Sequence, residues 1–222
     1  MNPAIFFPDA ANIVLPKKFQ LYSPEKSIRP YYAYFIKSGI CCLKTNDAKG
    51  EEHILLFQKA PRFVTYFPLM REFPAFKAKD MNFSIASQYT ITKCNALKID
   101  ASEFYEKMEQ DDNFKNTLIH QIFDDYTELL SSYINKMEDS ASIRFYKLLL
   151  EYSTPDKEKR KLESHLTNEL IANYLGVHTV TVSRIMSKLT ETGCLLKKGK
   201  DIYIAKAETL QKMIDDRIDL SY

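Results

Sequence analysis

The residues best suited to chemistry lie on a segment near the C-terminal end of the chain. Its apolar residues Val182, Ile185, Met186 and Leu189 recur at helical spacing, which predicts one buried face. The polar and cationic residues between them then point outward from the same helix. The outward and helix-opening residues are His178, Thr179, Val180, Thr181, Ser183, Arg184, Ser187 and Lys188. Short polar side chains and one arginine near the start of a helix are suited to reading base edges in a DNA major groove.

A second apolar stripe and a glycine precede this segment. Leu170, Ile171, Tyr174 and Leu175 form the stripe, and Gly176 ends it. Glycine takes a positive φ without steric cost, as the tight turn between two such helices requires. The pattern therefore predicts a helix-turn-helix whose second helix is the base-reading one.

A short two-stranded wing is predicted directly after the second helix. Apolar pairs flank a basic turn, residues 197–200, which carries Lys198 and Lys200. Lysines in such a turn suit contacts with DNA phosphates, which position a protein on the duplex without specifying its sequence. The strongly charged segment 154–163 is expected to be a solvated connector.

The stretch from Leu166 to Ile204 resembles, without a gap, the winged-helix domain of the Crp/Fnr family of bacterial transcription regulators. The resemblance rests on the Leu-Thr opening, the glycine of the turn, the Thr-Val-Ser-Arg core of the second helix and the Gly-Lys of the wing. Residues 178–184, His-Thr-Val-Thr-Val-Ser-Arg, look most like the halorespiration-regulator branch, whose members sense halogenated aromatic compounds. The resemblance implies a homodimeric, DNA-binding transcription regulator with an effector-sensing domain.

The distribution of charge agrees with one DNA-binding region. The chain has 222 residues, enough for two modest domains, and a formal net charge of only +2. Residues 1–138 carry 17 Lys/Arg and 17 Asp/Glu, whereas residues 139–200 carry 11 Lys/Arg and 7 Asp/Glu. The positive excess therefore coincides with the helix-turn-helix. Because the excess is modest, specific contacts must supplement counterion release.

The sequence gives no sign of a membrane partner. It contains no run of about 18 apolar residues, and its N-terminal segment lacks the cationic start of a signal peptide. We therefore expect a cytoplasmic protein. RNA polymerase is a further partner that the resemblance allows.

The remaining chain predicts a mixed α+β architecture. Residues 19–105 contain short aromatic- and Ile-rich segments separated by turns, which favours a barrel or roll. The segment FIKSG, followed by a turn and HILLF, resembles the cyclic-nucleotide-binding-like β-roll of the same family. We predict an effector-sensing β-roll domain over residues 1–108, a dimerisation helix over 109–138 and a winged helix-turn-helix domain over 139–222.

A long helix is predicted from Gln110 to about Met137, after a shorter one from Ala101 to Met108. Its apolar seam consists of Ile119, Ile122, Tyr126, Leu129 and Tyr133, spaced three, four, three and four residues apart. A single wide core face would give the same pattern. Because the equivalent helix is the dimer interface in the Crp/Fnr family, the resemblance favours a parallel coiled-coil homodimer.

The sensor half lacks the residues with which relatives in this family bind a cyclic nucleotide. Those relatives use a Gly-Glu pair and an arginine, but residues 59–89 contain no glycine, and Arg62 and Arg71 are out of register. A phosphodiester buried without a bidentate cation would lose its hydration unpaired, so we expect no cyclic-nucleotide binding. Aromatic residues crowd this region and favour a small aromatic or apolar effector, although an inward-facing Asp125 would disfavour an anionic phenolate. The candidate effector-binding residues are Tyr66, Phe83, Tyr89, Asp125, Tyr126 and Leu129.

We expect no metal and no cofactor. The four cysteines show no CxxC spacing, and none precedes Cys41, so the N-terminal cluster of Fnr-type iron–sulfur regulators is not carried over. Two alternatives stay open on the same fold: a thiol-redox-responsive regulator that uses Cys41, Cys42 or Cys94, and a regulator with a ligand-independent sensor. An enzyme is disfavoured because the sequence contains no phosphate-binding glycine loop, HExxH or GxSxG motif.

Val180 gives the sharpest expectation about the DNA sequence. Many family members place a glutamate at this position, which accepts a hydrogen bond from cytosine N4. Valine has no acceptor, and its methyl groups suit the thymine C5-methyl. A twofold pair of reading helices predicts an inverted-repeat operator with A·T-rich half-sites, with A·T where the glutamate-bearing relatives prefer G·C.

Overall fold

The computed structural model describes residues 5–23, 32–66, 69 and 86–220. The chain divides into two compact units, Met1–Leu129 and Leu130–Tyr222, and the division falls inside a long helix. The three-part division drawn from the sequence, with boundaries at residues 108 and 138, remains a prediction.

Strands of the first unit form two four-stranded antiparallel sheets. The strands are β1 (Ala11–Leu15), β2 (Gln20–Tyr22), β3 (Tyr32–Ser38), β4 (Ile40–Asn46), β5 (Glu52–Lys59), β6 (Arg62–Val64), β7 (Ser87–Thr90) and β8 (Cys94–Asp100). One sheet has the order β1-β8-β3-β6 and the other the order β2-β7-β4-β5. Together with the helices below, these sheets confirm the predicted α+β fold class with an N-terminal sheet domain.

Gly39 makes the tight connection from β3 to β4. Its φ is 105°, a backbone conformation in which other residues are strained. A Cβ atom at this position would lie 2.6 Å from Sγ of Cys94 and 2.7 Å from the carbonyl oxygen of Lys93. Glycine is therefore required both by the conformation and by the close approach of the turn to the start of β8.

An aromatic core joins the first sheet to α1 (Ala101–Gln110) and to the beginning of α2 (Asp112–Glu138). Its buried phenylalanines are Phe7, Phe35, Phe63, Phe104 and Phe114. The ring centroids of Phe63 and Phe114 lie 5.4 Å apart in an edge-to-face arrangement. Such pairs stabilise a core by about 0.5–1.5 kcal/mol beyond the burial of their area. Part of the aromatic content of residues 59–89 therefore belongs to the core.

The second unit contains the predicted helix-turn-helix and wing. Its elements are α3 (Ala141–Glu151), β9 (Ser153–Asp156), β10 (Lys159–Leu162), α4 (Asn168–Leu175), α5 (Thr179–Glu191), β11 (Leu195–Lys198), β12 (Asp201–Ile204) and α6 (Ala207–Asp215). The strands form one antiparallel sheet with the order β11-β12-β10-β9.

The expectation of a solvated connector over residues 154–163 was wrong. This segment forms the β9–β10 hairpin, and β10 pairs with β12 so that Arg160 lies opposite Ile204 and Lys161 opposite Tyr203. Pro155 is tolerated because β9 is an edge strand, where its missing N–H breaks no ladder bond. The high charge of this segment made a loop the expected structure. The hairpin forms because β10 pairs with β12 of the neighbouring wing.

Candidate nucleic-acid interface

The turn between α4 and α5 has the geometry that the sequence predicts. The N-terminal end of α4 is capped by Thr167, whose Oγ1 accepts a hydrogen bond of 3.2 Å from the backbone N–H of Leu170. The helix ends at Gly176, which has φ 66° and ψ 44°. A Cβ atom there would meet no heavy atom within 4 Å, so the left-handed conformation alone selects glycine.

Helix α5 packs through one face and leaves the opposite face open. Its buried residues are Val182, Ile185, Met186 and Leu189, as the periodicity predicts. The exposed candidates on and beside it are His178, Thr179, Val180, Arg184, Ser187 and Lys188, whereas Thr181 and Ser183 are half-buried. The structure therefore brings the candidate reading residues together on one helix and at its N-terminal end.

Two features of this face distinguish it from an ordinary solvated helix. The side chain of Val180 is 60% exposed, and no packing within its own unit explains an apolar residue there. The hydroxyl of Ser183 accepts a hydrogen bond of 3.1 Å from the side-chain amide of Asn168, the first residue of α4. Asn168 therefore orients Ser183, and the sequence reasoning missed this residue because it lies on the other helix.

The wing carries its lysines at an exposed hairpin turn. Lys198 ends β11, Gly199 takes φ 61°, and Lys200 completes the turn before β12. Both lysines are exposed, in agreement with the expected orientation toward solvent. The Nζ atom of Lys198 also lies 5.8 Å from the ring centroid of Tyr203 on the next strand. A cation–π attraction at this distance helps to orient the lysine side chain.

Arg144 joins the helix-turn-helix to the end of α2 within the second unit. Its guanidinium donates hydrogen bonds to the carbonyl oxygens of Lys136 at 3.3 Å, Asp139 at 2.9 Å and Leu175 at 3.2 Å. Carbonyls at helix C-terminal ends carry partial negative charge, so they suit a cation. The sequence offered one weak signal for this role, a guanidinium among the apolar residues of α3, which also contains Lys147.

Comparison with known proteins identifies this architecture. Residues 143–213 match the family model described as the Crp-like helix-turn-helix domain. A transcriptional regulator of the crp/fnr family from Eubacterium rectale has a TM-score of 0.72 at 16% identity, covering 97% of this chain and 95% of that one. Residues 143–213 therefore form a Crp-like helix-turn-helix domain, and the fold of the chain is the one found in solved Crp/Fnr regulators.

Further comparisons agree with this assignment. FixK2 from Bradyrhizobium japonicum has a TM-score of 0.72 at 16% identity. The match covers 96% of this chain and 98% of the FixK2 chain. An anaerobic regulatory protein of Pasteurella multocida (strain Pm70) is 27% identical over 172 residues, which are 77% of this chain. The match spans only 60% of that relative's length. The solved structures show the fold, and the family and its neighbours are regulators rather than enzymes.

The halorespiration-regulator branch remains a prediction, because these comparisons do not separate it from other branches of the Crp/Fnr type. Among the described residues, the structure contains no helix with the length and apolar character needed to cross a membrane.

In the first unit, the centre of the predicted effector region holds an ion pair. Nη2 of Arg62 lies 2.8 Å from Oδ1 of Asp125, and the hydroxyl of Tyr66 donates a hydrogen bond of 2.6 Å to Oδ2 of the same carboxylate. Burial raises the pKa of Asp125 above its usual 3.8, although Arg62 opposes the shift. The inward-facing Asp125 therefore has a cationic partner, and Arg62, which the sequence set aside as out of register, is that partner.

Glutamines extend this polar cluster through the interior. Gln121 of α2 accepts from the backbone N–H of Phe63 at 2.8 Å and donates to its carbonyl at 2.9 Å. Gln88 accepts from the N–H of Thr65 at 2.9 Å and donates to Gln58. These bonds attach α2 to β6 through polar contacts, so the region is less apolar than the sequence indicated.

The other candidate effector residues are not all brought to this cluster. Tyr89 lies on β7, where Gln20 donates to its hydroxyl at 2.7 Å. Tyr126 is 61% exposed on α2, and Leu129 is half-buried. Phe83 lies outside the described residues. Tyr66 and Asp125 are the candidates in direct contact with each other.

The exposed apolar seam of α2 differs from the predicted one at two positions. Ile122 packs against the aromatic core of the sensor unit, and Leu129 is half-buried. Large apolar side chains are instead exposed at Ile119, Phe123, Tyr126, Leu130, Tyr133 and Met137, spaced four, three, four, three and four. Among the exposed residues, Phe123 and Leu130 occupy the places in the heptad spacing that periodicity assigned to Ile122 and Leu129, and the dimer-interface residues remain a prediction.

All four cysteines of the chain are buried and unpaired. Cys41 and Cys94 lie in one buried core cluster, and the interaction of their thiols lowers the pKa of Cys94 to about 7 and raises that of Cys41. Burial raises the pKa of Cys42 to about 12. The structure therefore brings together two of the three cysteines considered for a redox role and leaves Cys42 as a neutral core thiol.

Proposed function

We propose that this chain is a homodimeric, sequence-specific transcription regulator whose paired α5 helices enter successive major grooves of double-stranded DNA. The outward face of α5 carries the proposal, because Val180 and Arg184 are exposed there and Asn168 orients Ser183. Two reading helices related by a twofold axis fit half-sites about 34 Å apart, so the operator is expected to be an inverted repeat.

The cations have a separate task in this proposal. Lys198 and Lys200 are exposed at the wing turn and suit contacts with phosphate oxygens. Arg184 and Lys188 lie on the outward face of α5, where they reach base edges or the adjacent backbone. The wing then sets the register of the helix on the duplex, and α5 reads the sequence.

The exposed seam of α2 supports a homodimer. Phe123 is 65% exposed, Tyr126 61% and Tyr133 62%, which is unusual for aromatic residues in one contiguous row. Two copies of this helix can bury the row against each other with heptad packing. A dimer through α2 would also supply the twofold axis that an inverted-repeat operator requires.

The effector is proposed to be a small molecule with an aromatic or apolar body, not a cyclic nucleotide. Arg62, an arginine of the predicted effector region, is already paired with Asp125. Because Tyr66 and Asp125 form a hydrogen-bonding pair beside the aromatic core, an aromatic effector with one polar group suits the region better than a hydrocarbon. A thermal-shift screen of small aromatics, with and without operator DNA, tests this assignment. Micromolar binding of cyclic AMP in calorimetry would contradict it.

Selection of binding sites from random duplex DNA tests the reading function. Inverted repeats are expected, with A·T at the inner step of each half-site, which is the base pair proposed to face Val180. In the same assay, Arg184→Ala should relax preference at one position of the half-site. The double variant Lys198→Gln, Lys200→Gln should instead weaken binding to all sequences. It should also make the plot of log binding constant against log salt concentration less steep, by about 1 for each phosphate that is no longer neutralised. Lys212→Gln on α6 removes one positive charge outside the proposed interface and is the control for each single lysine variant of the wing. Absence of any preferred duplex would contradict the proposal.

A thiol-responsive regulator is the second candidate, and the contact between Cys41 and Cys94 favours it. Against it, both side chains are fully buried, so an oxidant has no direct route to them. Loss of an oxidant response in Cys41→Ser and Cys94→Ser, but not in Cys42→Ser, would support this alternative. RNA polymerase as a partner, a cytoplasmic location and a ligand-independent sensor remain predictions of the sequence.

A further inference from the structure

The C-terminal end of α6 turns the chain sharply. The N–H of Arg217 donates to the carbonyl of Ile214 at 3.1 Å, and the N–H of Ile218 donates to that of Met213 at 2.8 Å. This pair of bonds is the Schellman pattern that ends many helices, normally with glycine in the left-handed conformation. Here Arg217 takes that conformation, with φ 51°, which non-glycine residues rarely adopt.

The side chain of Arg217 fixes the turn in place. Its Nη1 donates to the carbonyl of Glu138 at 3.3 Å, and its Nη2 lies 3.9 Å from the carboxylate of Asp139. Asp139 is also paired with Lys147 at 2.6 Å. The segment after Arg217 therefore leaves α6 in a direction set by both backbone and side-chain bonds.

This direction leads to the proposed reading face. Leu220 lines a groove of about 480 Å³ together with outward residues of α5, among them Val180, Arg184, Ser187 and Lys188. Leu220 is half-buried, whereas every residue from Asp215 to Asp219 is exposed. The end of the described chain thus rests beside the side chains assigned to DNA.

Size and charge make this segment incompatible with a bound duplex. A major groove about 12 Å wide is filled by a helix whose diameter with side chains is about 10–12 Å, which leaves no room for a second segment beside α5. Asp215, Asp216 and Asp219 also carry negative charge toward a polyanion.

We propose that the segment Ile218–Leu220 is an intramolecular competitor of DNA, which covers one edge of the reading face and is displaced when α5 enters the major groove. This inference rests on the proposed DNA-binding function. The competitor lowers affinity for every duplex by the same factor, because it must leave before any base is read. It therefore sets the strength of binding without changing the preferred sequence.

Leu220→Ser in the full chain is the direct test, because it replaces the apolar side chain that lines the groove without changing charge. We expect operator and scrambled duplexes both to bind at least threefold more tightly, with the same sequence preference. Arg217→Gly, which keeps the left-handed turn but removes the anchor to Glu138, should act in the same direction. Asp219→Asn removes a negative charge next to Leu220 and should act in the same direction, and Glu208→Gln, an exposed acid on α6 that does not line the groove, is its control. Unchanged or weaker DNA binding by Leu220→Ser would overturn the proposal.

A measurement without DNA separates this inference from the proposed function. In a Ser187→Cys background, the introduced thiol should be alkylated faster once Leu220→Ser is added, while the four buried native cysteines react slowly in both proteins. Equal alkylation rates would show that the segment does not cover α5, whatever the DNA result. If the parent protein binds no duplex but the rates differ, the DNA-binding function fails and the covering of α5 stands.

Discussion

The guanidinium of Arg144 donates a hydrogen bond of 3.2 Å to the carbonyl oxygen of Leu175, the last residue of α4. The same group holds the carbonyls of Lys136 and Asp139 near the end of α2. One side chain on α3 therefore determines where α2 ends relative to the turn that precedes the reading helix.

Arg144→Lys should destabilise the second unit, because one ammonium group cannot reach three carbonyls from this position. Removing charge-assisted hydrogen bonds of this kind lowers the free energy of unfolding by about 1.5–3 kcal/mol. Urea denaturation measures the change. The matched variant Arg184→Lys, at an exposed position of α5, should change stability by less than about 0.5 kcal/mol. Equal effects of the two variants would contradict the assigned role.

Gly176→Ala should cost stability through the backbone alone. The position has φ 66° and open space around a Cβ atom, so no steric clash contributes. An alanine in the left-handed conformation is disfavoured by about 1–2 kcal/mol, and asparagine by less. Thermal unfolding should therefore rank glycine above asparagine and asparagine above alanine. A neutral alanine variant would show that the turn relaxes to another conformation.

Phe123→Asp should weaken the proposed dimer without unfolding the sensor unit, because the side chain is exposed and sits in the apolar row of α2. Sedimentation should show a shift toward monomer and a matching loss of affinity for an inverted repeat. Ser131→Asp introduces the same charge at an exposed site outside that row and should leave the dimer intact. A dimer unaffected by Phe123→Asp would place the interface elsewhere.

Val180→Glu should move the preferred base pair at the inner step of the half-site from A·T to G·C. A carboxylate accepts a hydrogen bond from cytosine N4, and a well-placed contact of this type discriminates by about 1–3 kcal/mol. Val180→Gln, of the same size as the glutamate variant but uncharged, is the control and should not select G·C in the same way. Competition binding with duplexes that differ at this one step provides the measurement.

Asp125→Asn should remove one component of the pH dependence of stability. Burial raises the pKa of Asp125 in the folded state above its usual 3.8, so the folded protein holds this proton more tightly than the unfolded chain does. The associated stability is fully present below pH 3.8 and is lost as the pH rises through the folded-state value. The difference in unfolding free energy between the parent and the variant should therefore shrink as the pH increases from acid toward neutral. A difference independent of pH would contradict this assignment.

The helix-turn-helix was predictable because each of its features is local. Gly176, the apolar stripe of α5 and the lysines of the wing obey spacing rules that hold wherever the segment lies. The ion pair of Arg62 with Asp125 was not predictable in this way, since 63 residues separate its partners in the sequence. The seam of α2 was displaced for a related reason. Periodicity locates an apolar stripe, but only packing against the core reveals that Ile122 belongs to the inner side.

The β9–β10 hairpin extends the two strands of the wing into a larger sheet. A solitary two-stranded ribbon is marginally stable in water, whereas β12 here is held between β11 and β10 in a four-stranded sheet. Lys161 of β10 is paired at 2.7 Å with Asp201, the residue that follows the wing turn. The tip that is proposed to contact phosphates is consequently preorganised. Little chain entropy is therefore lost when it meets a duplex, and association should proceed at a rate set by diffusion and ionic strength.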